Sequence, residues 1–309
     1  MPLAHVPSDE LRGRVALITG ASRGIGRATA LALASHGCHV VIAAKSATAS
    51  ATLPGTVYSV AREVERAHPH VRALPIVMNL LDERSIVACV EEVVREFGRV
   101  DVLVNNASAL WWQDIDSTPT KKYDLIQGIN ARGSFIITRE CLRYMREAGY
   151  GRVISMGPPI PKRWREFSGK TAYYMSKCGM TMVALGAAAE GEKFGITANS
   201  LWPATIVESS ASENFELGER KNWRKADILA DCVVQLACDP STTGQQLIDD
   251  EYLRTRGAID ADFVRYRCDP NFEPPRLLAP DGVEGVGGDW DVRRGDVKAL
   301  SRDKAVSKL

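Results

Sequence analysis

Tyr173 and Lys177, in the run Tyr173-Tyr-Met-Ser-Lys177, are the two side chains of this 309-residue chain whose types and spacing most suit chemistry. A four-residue step on a helix puts both on one face. An ammonium beside a phenol favours phenolate, so the pair predicts a tyrosine drawn down from its usual pKa of about 10 toward neutrality, able to act as general acid or base. Tyr174 is three residues from the lysine and is the weaker proton donor. A second constellation, Thr19-Gly20-Ala-Ser22-Arg23-Gly24-Ile25-Gly26, lies between a short apolar run (15–19) and an alanine- and leucine-rich segment (27–35). Strand, glycine loop and helix start in that order present backbone N–H groups to a pyrophosphate. Gly20 permits the turn, Gly24 the approach of phosphate, and Gly26 close packing of helix on strand. A purely structural turn is the alternative. The strand 39–44 ends in Ala43-Ala44-Lys45, without the Asp or Glu that accepts from an adenosine ribose. Lys45 and Arg23 would instead hold a 2′-phosphate, which favours NADP(H) as cofactor over the reading of two solvated surface cations.

To position these groups, the chain must alternate strand and helix. Apolar runs at 15–19, 39–44, 74–78, 100–104, 152–156, 197–201 and 246–248 read as strands. Helical patterns fall at 27–35, 57–67, 85–97, 121–131, 133–147, 172–194 and 226–238. This order specifies an α/β fold, a doubly wound parallel sheet of the Rossmann kind with about seven strands and helices on both faces. It occupies residues 11–255, and 256–309 forms a C-terminal extension and tail rich in proline, glycine and charge.

Composition narrows the function classes. The 39 basic and 38 acidic side chains nearly cancel, so no global field favours nucleic acid or an anionic membrane. Seven cysteines without a Cys-x-x-Cys pair argue against zinc or a disulfide framework, and no metal site is expected. The five histidines all fall at or before His70, which leaves a histidine-dependent hydrolase little to work with. No apolar run has the length of a membrane span, and the first ten residues are too short and polar for a signal peptide. The last three residues, Ser307-Lys308-Leu309, match the address read by the peroxisomal import receptor. That predicts a peroxisomal protein, or a cytoplasmic one where the signal is not used.

With Asn105-Asn106-Ala107 after the fourth strand and Asn130 in the following helix, residues 11–251 resemble the short-chain dehydrogenase/reductase family. That resemblance implies Tyr173 as proton relay, Lys177 as holder of the nicotinamide ribose, and Asn130 as support for a water-linked proton path. It implies Asn106 and Ala107 at the cofactor's border, Pro203 with Thr205 or Ser209 near its carboxamide, and a homodimer or homotetramer. Asn79 stands where the family usually has Asp near the adenine. The serine that steadies the substrate oxygen in this family aligns with Pro158, which has neither hydroxyl nor N–H. Ser155 should point to the opposite face, leaving Ser168 or Thr171 as substitutes. Together with Ala43-Ala44-Lys45, the run from Leu53 to Tyr58, and Leu201-Trp202-Pro203, the Pro158-Pro159 pair looks like the peroxisomal hydroxysteroid dehydrogenase-like subgroup. Some members of that subgroup add a sterol-carrier domain, for which nothing after Glu251 is long or apolar enough.

Trp111, Trp112, Trp164, Phe167, Trp202, Phe215 and Trp223 suggest an apolar cleft for a small hydrophobic substrate, against simple core packing. Lys162, Arg163, Arg165 and Lys170 would suit the phosphates of a coenzyme A ester, against a solvated face. The expected activity is an NADP(H)-dependent interconversion of carbonyl and alcohol on an acyl, terpenoid or steroid-type substrate. Two other readings stay open: an NADP(H)-binding protein with little turnover, because of Pro158, and an oligomeric scaffold without cofactor.

Overall fold

A strand covered by helices on both faces is apolar at every position rather than at alternate ones. All residues of β1 (Val15–Thr19) are buried in this way. The computed structural model describes residues 10–49 and 54–280. Leu53 and the terminal Ser307-Lys308-Leu309 lie outside the described residues. After β1 come α1 (Gly24–Ser35), β2 (His39–Ala44), α2 (Val57–Ala67), β3 (Ala73–Val77), α3 (Glu83–Phe97), β4 (Val102–Asn105), α4 (Thr120–Ile126), α5 (Ser134–Ala148) and β5 (Gly151–Ser155). The second half adds α6 (Thr171–Gly191), β6 (Ile196–Trp202), β7 (Ile206–Val207), α7 (Ser210–Asn214), β8 (Trp223–Arg224), α8 (Asp227–Cys238), β9 (Gln246–Ile248), α9 (Asp249–Thr255) and α10 (Asp260–Phe263).

Seven strands form one parallel sheet in the order β3-β2-β1-β4-β5-β6-β9, the doubly wound arrangement expected. Pro75 sits in β3 at one edge, where a missing N–H costs no ladder bond to a further strand. Strand order reverses between β1 and β4, and a crevice opens there at the strands' carboxyl ends. One apolar cluster, with Leu33, Val60 and Val233, covers the face under α1, α2 and α8; another, with Ile86, Cys141 and Ala187, covers the face under α3, α5 and α6. At the opposite end of the sheet the buried Asp101 carboxylate accepts from the Val15 N–H at 2.9 Å and from Arg99 Nε at 2.7 Å, fixing the starts of β1 and β4.

Two local departures matter for the site. The sequence suggests separate helices at 121–131 and 133–147, whereas α4 and α5 are joined by a π-helical turn, Gln127–Gly133, without a break. The chain after α9 also packs inward, with Phe263 and Tyr266 buried in the cluster under α1 and α8 and the Tyr266 hydroxyl donating to Asp231 at 2.6 Å.

Candidate active site

The carboxyl ends of β1, β2, β4, β5 and β6 border a cleft of about 500 Å³. One end of it is built by the glycine loop. Arg23 occupies the N-cap of α1 without a side-chain cap, and the first turn holds no acidic residue, so the leading N–H groups suit an anion. Gly24 has φ +52, and a Cβ on Gly26 would lie 2.6 Å from the Gly20 carbonyl oxygen. Only glycine allows both. These features fit the pyrophosphate of a dinucleotide. Arg23 reaches away from α1, its Nη2 donating to Ser46 Oγ at 2.9 Å and to the Gly55 carbonyl at 3.1 Å, beside the exposed Lys45. Ser46 was not marked by sequence, because a lone serine after a strand has no distinguishing pattern.

Of the residues expected from sequence, Gly20, Ser22, Arg23, Gly24, Ile25, Lys45, Asn106, Ala107, Tyr173, Lys177 and Pro203 all line the cleft. Thr19, Gly26, Asn130 and Thr205 stand behind its walls. Thr19 Oγ1 accepts the N–H groups of Asn106 and Ala107, both at 3.0 Å, so it rivets β1 to the loop after β4. The Thr205 hydroxyl turns to the Ile206 carbonyl at 3.3 Å, whereas Ser209 faces the cleft while capping α7. Asn79 lines the adenosine end, its amide oxygen accepting from the Leu81 N–H at 3.2 Å.

Tyr173 and Lys177 share one face of α6 and both border the cleft. Asn130, fully buried in the π turn, links this helix to the loop after β4. Its Oδ1 accepts from the Ala109 N–H at 2.8 Å, and its Nδ2 donates to the Ala109 carbonyl and to Ser176 Oγ, each at 2.9 Å. Asn130 is thus a positioning residue for both walls. The expected pull of Lys177 on Tyr173 is not what the electrostatics give. Burial pushes the phenol above its ordinary range and pushes the Lys177 ammonium down to about 7. Lys177 Nζ has Met180 Sδ at 3.4 Å and the Trp202 ring at 5.4 Å around it rather than a carboxylate. Removing a charge from water costs both groups, and helical spacing carries no trace of that cost.

Pro158 is buried, and its carbonyl accepts from Thr181 Oγ1 at 2.7 Å. Ser155 does turn away, accepting from Asn105 Nδ2 at 3.2 Å. Neither proposed substitute reaches the cleft: Ser168 is exposed outside it, and Thr171 Oγ1 donates to the Phe167 carbonyl at 3.0 Å. Of the aromatic residues, Trp112, Trp202 and Phe215 line the cleft. Trp112 meets Tyr173 edge-on at 6.0 Å, Phe167 meets Tyr174 edge-on at 5.9 Å, Trp111 packs under Lys122, and Trp223 Nε1 donates to the Leu217 carbonyl at 2.8 Å. The side chains of Trp164 and Arg165 lie outside the described residues. Arg163 pairs with Glu166 at 3.0 Å and Lys170 lies 4.9 Å over the Tyr174 ring, and neither of these two cations lines the cleft.

Behind Pro203 stands a buried acid. Asp249 Oδ1 accepts from the N–H groups of Ala204 at 2.9 Å and Asp250 at 2.7 Å, and burial beside the Asp250 carboxylate raises its pKa to about 7. Between the ordinary carboxylate value of about 4 and that raised one, the unfolded chain is ionised while the folded chain keeps its proton. Stability therefore falls as pH rises through this window and levels off above it. Asp249→Asn keeps the acceptor oxygen without the charge. We expect its melting temperature to match wild type near pH 4.5 and to exceed it by several degrees at pH 8, measured by thermal unfolding across that range. A constant gap at every pH would refute the assignment.

Among the described residues no helix is long and apolar enough to cross a membrane, and no group of three or more His, Cys, Asp or Glu could hold a metal ion. Residues 14–218 match the family model described as short chain dehydrogenase. The chain is 38% identical over 307 residues to hydroxysteroid dehydrogenase-like protein 2 of Xenopus tropicalis, covering 96% of this chain and 73% of that one. Among solved structures, a short chain dehydrogenase of Mycobacterium thermoresistibile is 36% identical with a TM-score of 0.81, over 90% of this chain and 99% of that one. A metagenomic short-chain oxidoreductase in complex with NADP is 27% identical with a TM-score of 0.64, over 77% and 97%. The uncapped glycine loop, the Asn130 clasp and the Tyr173–Lys177 face thus stand in the order in which this fold carries them, and the chain belongs to the short-chain dehydrogenase family.

Proposed function

We propose that this oxidoreductase uses NADP(H) to interconvert a carbonyl and an alcohol on an uncharged, lipid-like substrate. The observation that carries the reading is the cleft itself, which has Tyr173 and Lys177 at one wall and Arg23, Ser46 and Lys45 at its far end. Bound nicotinamide would supply or take the hydride. Tyr173, kept protonated by burial, gives its proton to the substrate oxygen in the reductive direction. Asn130 holds the two flanking walls in register, so that the substrate oxygen meets a phenol that does not move. Trp112, Trp202, Phe215 and Leu217 give the substrate an apolar bed.

The phosphorylated cofactor follows from the cation pair. Each charge-assisted hydrogen bond to a phosphate contributes about 1.5–3 kcal/mol, so the double variant Arg23→Ala, Lys45→Ala should lose roughly 10–100-fold in NADPH affinity and change little for NADH. Calorimetry with both cofactors measures this, and retained preference for NADPH would sink the assignment. Turnover is tested by NADPH consumption with a panel of acyl, terpenoid and steroid carbonyls. No consumption with any of them would count against the activity.

A second reading rests on Pro158. With no hydroxyl in that position, the protein would bind NADP(H) and turn over slowly. Tight NADPH binding with equal, very low rates in wild type and Tyr173→Phe would favour it.

A further inference from the structure

We infer that the segment 267–280, far in sequence from the catalytic pair, is the gauge that sets how large an apolar substrate the cleft admits, with Leu278 as its specificity-determining side chain. The inference rests on the proposed oxidoreductase reading for its substrate, but the wall itself is a matter of geometry. Leu278 lines the cleft that Tyr173, Lys177 and Trp202 also line, and belongs with Trp112, Tyr173 and Trp202 to one apolar cluster. Its N–H donates to the Ala204 carbonyl at 2.8 Å, while the Ala204 N–H donates to Asp249. The residue after Pro203 is therefore held from both sides, by α9 and by this segment.

Ion pairs hold the segment down. Arg276 Nη1 reaches Asp250 Oδ2 at 2.7 Å and its other arm reaches Glu251, both on α9. Arg224, 3% exposed, lies 2.6 Å from Glu273 and 3.6 Å from Asp250, and Arg163 donates to the Pro280 carbonyl. Ala279 is buried in the same apolar cluster as Tyr173 and Trp202. Glu273 and Arg276 each pair with a buried charge, Arg224 and Asp250, which is costly to leave without its partner, so the wall is a fixed part of the site rather than a loose tail. The Glu273 and Arg276 charges point into these pairs, and what the segment turns toward the cleft is the Leu278 side chain. That surface selects uncharged, chain-like or ring-like hydrocarbon by length.

The test uses a homologous series of straight-chain 2-alkanones with NADPH, alongside binding of the neutral fluorophore N-phenyl-1-naphthylamine. Leu278→Ala should shift the ratio of kcat/KM for long over short ketones upward by roughly 10-fold, and Leu278→Trp should shift it downward by a similar factor, as expected for a pocket changed by a few methylenes. Arg276→Ala should flatten the length preference by releasing the segment. If wild type reduces none of the ketones, but Leu278→Trp still weakens fluorophore binding and Leu278→Ala strengthens it, the oxidoreductase reading fails and the wall stands. If both Leu278 variants leave the ketone profile or, without turnover, the fluorophore binding unchanged, the inference is overturned.

Discussion

Tyr173→Phe should lower the turnover number by about 10²–10⁴-fold, the range supplied by a positioned general acid, and leave NADPH affinity and melting temperature at wild-type values. The side chain is 7% exposed, packed edge-on against Trp112 and Tyr174, and phenylalanine keeps all of that contact. Only the oxygen atom is lost. Because burial favours the neutral phenol, the reductive rate should show no loss of this acid through neutral pH, while alcohol oxidation, which needs a phenolate, should climb as pH rises. Single-turnover NADPH oxidation, with calorimetry for binding, separates chemistry from affinity. An unchanged rate would remove Tyr173 from the reaction and leave the slow-turnover reading.

Lys177→Met should do something less usual: raise stability while lowering kcat/KM by at least ~10²-fold. A lysine held in the folded chain at a pKa of about 7, against an ordinary value of about 10.5, is charged at a cost. Between those values the unfolded chain carries a proton that the folded chain lacks. Stability of the wild type therefore rises with pH across that window, and the cost is full below pH 7. Methionine removes the charge and keeps most of the stem against Met180 and Trp202. The variant should exceed wild type by about 2–4 kcal/mol at pH 6, with the gap closing toward pH 10, read from denaturant unfolding at each pH. A destabilised variant at pH 6 would mean that Lys177 is paired in solution in a way that the geometry denies.

Both predictions turn on burial, which is where reading the sequence falls short. The doubly wound sheet was legible because its signal is contiguous: β1 and β2 are apolar almost throughout, and the glycine loop sits between one such run and a helix. Tyr173 and Lys177 were legible for the same reason, as a four-residue step on a helix. The direction of the tyrosine's pKa was not, since it depends on Trp112 and on the rest of the wall that excludes water. Nor was Leu278, whose place beside Trp202 is decided by ion pairs of Arg276 and Arg224 with acids on distant elements. The cations of residues 162–170 illustrate the converse: local crowding of charge suggested an anion site, and Glu166 takes up Arg163 while the Tyr174 ring takes up Lys170. Pro158 lies three residues past the end of β5, and no nearby hydroxyl could be chosen from sequence, because Ser168 and Thr171 differ from a catalytic serine only in where the loop carries them.

The π-helical turn that holds Asn130 stores part of the site as chain length rather than as residue identity. Removing one residue from Gln127–Gly133 would let α4 and α5 run on as a regular helix, the flanks keeping nearly their present facing while the side chains of the turn itself are re-aimed. Asn130 would leave Ala109 and Ser176 although no contact residue had been substituted. A gene under selection for this site must conserve the reading of its helix as a count, and the tolerance of that stretch to insertion and deletion should be far lower than its tolerance to point replacement.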